Sequence, residues 1–171
     1  LYLLAADELD MNRLNNPFVI YQGHHGDAGA HHADVVLPGC AYTEKSATYV
    51  NTEGRVQRTQ VAAFPPGDAK EDWTIIRALS SVIGKKLEYD DLNQIRSKLI
   101  ETNSVFLNID EITNSNWGEF GEKELPTNSS NLKSSIKNFY MTDPISRAST
   151  TMAQCMEMIS NSQSDKTGTN G

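Results

Sequence analysis

Three short apolar runs occupy the front of the chain, separated by polar spacers: LYLLAA (1–6), FVIY (18–21) and VVLP (35–38). Each has the length of a strand, and each is continuous rather than alternating. That pattern belongs to strands buried on both faces of a parallel sheet. The first is expected to run from Leu1 into a turn near Glu8, with DMNRL behind it as a short helix capped by Asp10. The second, PFVIYQG, is rich in β-branched and aromatic residues and stops at Gly23; the third, ADVVLPG, is closed by Pro38 and Gly39. Beyond it, ATYVNTEGRVQRTQVAAF alternates only in part, which suggests a bent hairpin around Gly54.

Helical spacing takes over after PPGDAK. Asp68 with Glu71 three residues on resembles a capping box. Trp73, Ile76, Leu79 and Ile83 then fall on one helical face that ends at Gly84. Leu92, Ile95 and Leu99 repeat the pattern, placing a second helix start near Asp90 or Asp91. Residues 101–138 lose periodicity in favour of Asn, Ser, Glu and Lys, as in a linker or surface excursion. Order is expected again over 139–160. There Asp143 caps, Pro144 takes the first helical position, and Ile145, Ala148, Met152, Cys155, Met156 and Ile159 share a face. Residues 161–171 form a polar tail of the kind that stays disordered. The pattern therefore predicts an α/β class with a partly parallel sheet over 1–100, followed by C-terminal helices.

Composition narrows the function. A net charge of −7 with no basic stripe argues against nucleic-acid binding. No stretch approaches the roughly 20 apolar residues needed to cross a bilayer, so no direct membrane insertion is expected. The chain opens inside an apolar run with no methionine or basic leader, which predicts a C-terminal fragment of a longer protein. Two cysteines, Cys40 and Cys155, lie far apart and provide no disulfide framework.

The candidate chemistry centres on GHHGDAGAHHAD, where His24, His25, His31 and His32 fall within nine positions. Neighbouring residues diverge on strands and helices alike, so a His–His pair rarely gives two ligands to one ion. One histidine from each pair could still cooperate with Asp27 or Asp34, but zinc normally takes four N or S donors and no Cys-x-x-Cys is present. The favoured reading is a tight loop shaped by Gly23, Gly26 and Gly29, with the histidines capping it or lying on its surface. Cys40 at the end of a strand could pair with a histidine as nucleophile and base; nothing marks an orienting third residue, and a small buried thiol is preferred. Glu44, Lys45, Glu53 and Arg55 cluster around the bend and are read as surface or interdomain ion pairs. GHHGDAG lacks both the G-x-G-x-x-G spacing and the Lys-Ser/Thr of phosphate loops.

One longer pattern carries a resemblance. QGHHGDAGAHHADVVLPGCAYTEKSATYVNTEGRVQ (22–57) is similar to a segment of the molybdopterin oxidoreductase superfamily. With DWTIIRALS behind it and NFYMTDPISRASTTMAQC near the end, the chain resembles the C-terminal part of the large iron–sulfur (seventy-five-kilodalton) subunit of mitochondrial NADH:ubiquinone oxidoreductase, respiratory complex I. The matching positions are Gly23, His24, His25, Gly26, Asp27, Ala33, Asp34, Leu37, Pro38, Glu44, Lys45, Thr48, Asn51, Glu53, Gly54 and Gln57.

The resemblance implies an oxidoreductase of the respiratory chain that moves electrons from NADH to ubiquinone and translocates protons. It implies a location on the matrix side of the mitochondrial inner membrane, with other subunits of the matrix arm as partners. The family's iron–sulfur clusters belong to its N-terminal part, so this segment is expected to hold no cofactor, no metal and no catalytic residue. Its role would be structural, in a molybdopterin-oxidoreductase-like domain without its cofactor. The rival readings are a piece of an active molybdopterin-dependent oxidoreductase, whose molybdenum ligand would lie upstream, and a free-standing metal module built on the four histidines.

Overall fold

The computed structural model describes residues 1–114, 118, 121, 129–132 and 138–164, with side chains as far as 161. It divides into two compact units, Leu1–Ser115 and Asn116–Gly171.

The first unit is built on the expected strands. β1 (Tyr2–Leu4), β2 (Ile20–Gly23) and β3 (Val35–Pro38) form one parallel sheet in chain order. Tyr2 pairs with Ile20 and Ile20 with Val35, so the three strands start level. Between β1 and β2 the chain makes a single 3-10 turn, Met11–Arg13, and Asp10 caps it by accepting from the Asn12 amide at 3.2 Å. The link between β2 and β3 contains α1 (Ala28–His31), one helical turn long. Leu3, Val19 and Tyr21 form the buried cluster, flanked by Ala6, Met11, Ala30 and Ala33. Parallel strands normally need long crossovers. Here the link between β2 and β3, residues 24–34, is short, and small residues let it lie close. Gly29 approaches so tightly that a Cβ there would sit 2.6 Å from the Ala6 carbonyl oxygen.

β4 (Thr48–Val50) and β5 (Val56–Arg58) make the expected antiparallel hairpin. Asn51 Oδ1 accepts from the amides of Glu53 and Arg55 at 3.0 Å each. Gly54 takes φ +84° at the bend, the left-handed region that favours glycine. Val56 is almost fully buried and bridges to Ile109, so residues beyond 101 close back on this hairpin. Ser104–Leu107 form a 3-10 turn before that bridge.

α2 (Asp72–Val82) begins later than the capping-box pattern implies. Asp68 does not cap it. The backbone of Lys70 is instead captured by the end of β3: its amide donates to Pro38 and its carbonyl accepts from Cys40, at 3.1 and 3.0 Å. The helix can start only after that pairing, and Glu71 occupies the cap position without a side-chain cap bond. At the other end Gly84 adopts φ +71°, as its place after the helix requires. Ser80, not Ile83, is the residue α2 buries. Its hydroxyl donates to the Arg77 carbonyl and accepts from the Leu87 amide, tying down the turn that follows. α3 (Leu92–Thr102) starts where expected, with Asp91 accepting from the Gln94 amide at 2.9 Å.

In the second unit, the expected single helix is two. α4 (Pro144–Arg147) is capped by Asp143, which accepts from the amides of Ile145 and Ser146. The turn ends at Ala148, and Ser149 opens α5 (Thr150–Ser164) by accepting from the Met152 amide. A serine able to cap in mid-pattern divides one apolar stripe between two helices. Met152, Cys155, Met156 and Ile159 are the half-buried positions of α5. α5 continues to Ser164, into the stretch expected as a tail. The remainder of that tail, 165–171, lies outside the described residues, as does most of the expected linker between 115 and 137.

Candidate functional site: the carboxyl edge of the parallel sheet

In open α/β sheets, ligands bind beyond the carboxyl ends of the strands. Here that edge is formed by Ala5–Asp7 after β1, His24 and His25 after β2, and Gly39 and Cys40 after β3. The start of α2 lies across it. The organising residue is Gln22, a fully buried amide in an otherwise apolar strand. Its Nε2 donates to Asp72 Oδ1 at 2.9 Å and to the Asp72 carbonyl at 3.3 Å. Its Oε1 accepts from the Tyr2 hydroxyl. The other carboxylate oxygen of Asp72 is paired with Lys45. One acidic side chain at the first turn of α2 thus joins β1, β2 and the loop before β4. Gly39 leaves room for it, since a Cβ there would lie 2.9 Å from Asp72 Oδ1.

A second network holds the loop after β2. The Tyr21 hydroxyl donates to Asp7 Oδ2 at 2.8 Å, with the His25 carbonyl oxygen 3.1 Å away. Asp7 is itself buried, and its Oδ1 accepts from the Gly29 amide at 3.1 Å. The Tyr21 side chain folds over the loop so closely that a Cβ on Gly23 would meet its hydroxyl oxygen at 2.6 Å and its ring carbons at 2.8 Å.

The histidine run divides at this edge. His24 and His25 meet each other, Nδ1 to Nδ1 at 2.8 Å, with ring planes 76° apart. One nitrogen must donate and the other accept. Burial pushes the His24 pKa down; the neighbouring His25 and then Lys45 add to this, against the pull of Asp72 and Glu44. His31 and His32 are exposed, and His32 Nδ1, just past the end of α1, lies 2.8 Å from the carbonyl of Ala28, the first residue of that turn. The structure therefore does not join the two pairs. Among the described residues, no group of three or more His, Cys, Asp or Glu is placed to hold a metal ion. Asp34 is spent on the backbone, accepting from the Val19 amide at 2.7 Å.

Cys40 is almost fully buried. Burial raises its pKa, with Glu44, Glu71 and Asp72 adding to the shift. A thiol held protonated in that way is a poor nucleophile. Around the bend, Glu44 caps locally by accepting from the Ala41 amide at 2.9 Å, and Glu53 approaches Arg55 at 3.8 Å. Of that cluster only Lys45 reaches the sheet edge.

Sequence reasoning did not single out Gln22, Asp72, Tyr2 or Glu71 for this edge. Gln22 carries the one local signal, a lone amide inside a buried strand that must find partners. Glu71 accepts from Trp73 Nε1 at 2.5 Å and so orients the first turn of α2. Gln22, Asp72, Lys45, Tyr21 and Asp7 at this edge are thus engaged with one another within the chain.

The molybdopterin oxidoreductase family model matches residues 1–82. A second model, for the C-terminal region of the G subunit of NADH-ubiquinone oxidoreductase, matches residues 112–155. The chain is 49% identical over 166 residues to the mitochondrial NADH-ubiquinone oxidoreductase 78 kDa subunit of Candida albicans, an alignment covering 91% of this chain and 23% of the relative. It is 47% identical over 159 residues to the 75 kDa subunit of Reclinomonas americana, with the same two coverages. It is 46% identical over 156 residues to the NADH-quinone oxidoreductase G subunit of Rickettsia felis, again covering 91% and 23%. The chain spans less than a quarter of the length of these curated relatives.

Proposed function

The chain belongs to the molybdopterin oxidoreductase family, in its branch of NADH-quinone oxidoreductase G (75/78 kDa) subunits, and from that premise we propose that it serves as a structural part of such a subunit and carries no redox centre of its own. The parent enzyme would pass electrons from NADH to ubiquinone and couple this to proton translocation. The segment would lie in the matrix-facing arm at the mitochondrial inner membrane, packed against other subunits of the complex. The observation that carries this reading is the 49% identity over nearly the whole chain to a mitochondrial subunit of that enzyme.

The donor set agrees with a role without cofactor. Iron–sulfur clusters take mostly four thiolates. This chain has two cysteines, which fall in different compact units, and Cys40 is buried as a thiol. The residues do not fit a cluster. Nor does the sheet edge fit a pterin. Gln22, Asp72 and Lys45 satisfy one another, and the space beside Gly39 and Gly23 is taken by Asp72 and the Tyr21 ring. Among the described residues, the one buried side-chain nitrogen without a partner is Arg96 Nε, which belongs to α3 rather than to this edge.

The test is to tag the chain in its own cells, solubilise the membranes in mild detergent and separate the complexes in native gels. The tag is expected to migrate with NADH:quinone oxidoreductase activity, and the purified chain to show no paramagnetic cluster signal after reduction. A tag migrating apart from that activity would sink the proposal, as would stoichiometric molybdenum or tungsten in the assembled protein.

A further inference from the structure

We propose that His24 and His25 form a proton-operated latch on the loop that closes the carboxyl edge of the sheet, holding it shut while they share one Nδ1 proton and opening it when both rings are charged. The geometry leaves little choice. At 2.8 Å the two Nδ1 atoms are hydrogen-bonded, so one ring presents N–H and the other a lone pair. A first added proton can settle on an Nε2 and leave that bond intact. A second gives both Nδ1 atoms a hydrogen, no acceptor remains, and two positive rings face each other at contact distance.

The surroundings decide which proton is opposed. His24 is faced by Lys45 from the loop before β4, by Glu44 on the same loop, and by Asp72 from the first turn of α2. The charge of Asp72 is already paired with Lys45, so it offers His24 little relief. Below the pair stand Tyr21 and Asp7, and they couple the latch to the core. The His25 carbonyl oxygen lies 3.1 Å from the Tyr21 hydroxyl, which donates to Asp7, which in turn holds the Gly29 amide of α1. Moving His25 away therefore loosens a chain of contacts that reaches the link between β2 and β3. The outer pair, His31 and His32, has no such connection: both are exposed, and His32 meets only the backbone of its own turn.

The test uses the whole chain at micromolar concentration. Deuterium exchange at the imidazole C2 position, read by fragmentation mass spectrometry, gives the titration of each histidine. Backbone exchange, corrected for its chemical pH dependence, gives the opening of residues 23–29. His24 and His25 are expected to take up protons as a coupled pair in two steps, with His24 held below the ordinary histidine value. Amide exchange over 23–29 should rise by up to about tenfold per unit as pH falls toward that second step and level off below it. In His25→Asn the His24 transition should become a single step, and the loop should lose its pH dependence. Independent titration of His24 and His25 in the wild type, or loop exchange that ignores their second step, would overturn the latch. That wild-type measurement decides the matter even where the variant does not fold.

Discussion

Gln22 and Asp72 show how much a single polar side chain can depend on a distant one. Gln22→Leu keeps the volume and removes every hydrogen bond that joins β2 to α2. It leaves one oxygen of Asp72 and the Tyr2 hydroxyl with no partner at a half-buried edge. Stranding such groups costs about 1–3 kcal/mol each, so chemical denaturation should show a loss in that range or above. A loss below half a kcal/mol would mean that Asp72 finds another donor. Two glycines make a contrasting pair. Gly29→Ala would put a methyl group 2.6 Å from a backbone oxygen, and about 1–3 kcal/mol of overpacking is expected. Gly54→Ala meets nothing within 4 Å, but its φ of +84° is costly for an L side chain, about 1 kcal/mol. A Gly29→Ala cost smaller than that of Gly54→Ala would contradict this separation of crowding from backbone strain. The sequence made Gly54 legible, because a turn signal is local. Gln22–Asp72 lay 50 positions apart, and only folding could reveal that contact.

Elements were legible to the degree that their signals were local. The three strands announced themselves through continuous apolar runs, and α3 through Asp91 and its periodic leucines. The start of α2 and the break between α4 and α5 did not. The first was moved by a long-range backbone pairing at Lys70, the second by a serine that can sit inside a helix or cap one. Two expectations follow for helix ends. Asp91→Ala removes the bond to the Gln94 amide and should cost about 1 kcal/mol, read from thermal or urea unfolding followed by circular dichroism. Asp143 should be pH-sensitive. Its hydrogen bond from Ser146 holds its pKa below the ordinary carboxylate value, with the Ser146 and Ile145 amides and Arg147 assisting. The folded form thus keeps its charge to lower pH than the unfolded one. The cap's contribution is full above the unfolded pKa and is lost as pH falls through the folded one. Acidification should fray α4 in wild type and leave Asp143→Asn indifferent; equal fraying in both would show that the charge is irrelevant there.

For the molecule as a whole, the parallel sheet poses a physical problem that its sequence foretold. Parallel strands are normally covered on both faces, and here each face is covered only in part: Leu3 and Tyr21 are buried on one and Gln22 on the other, while Val36 shares the first face and Leu4 the second. Leu3 and Tyr21 are buried, whereas Leu4, Phe18 and Val36 are 52%, 63% and 53% exposed and Val35 is 39% exposed. β1 and β3 are also the edge strands of the sheet among the described residues, β3 meeting Lys70 only at its end. Exposed apolar side chains beside a largely unpaired backbone edge favour association with another chain. Isolated at micromolar concentration, the chain should therefore elute above its monomer mass in size exclusion with light scattering, and should bind a hydrophobic dye. Replacing Leu4 and Val36 by lysine should lower both signals while leaving α2 and α3 helical, because neither side chain contributes to the buried cluster. A wild-type chain that stays monomeric and dye-silent would mean that the exposed apolar side chains are tolerated in water, and the case for a neighbouring polypeptide against them would fall with that result.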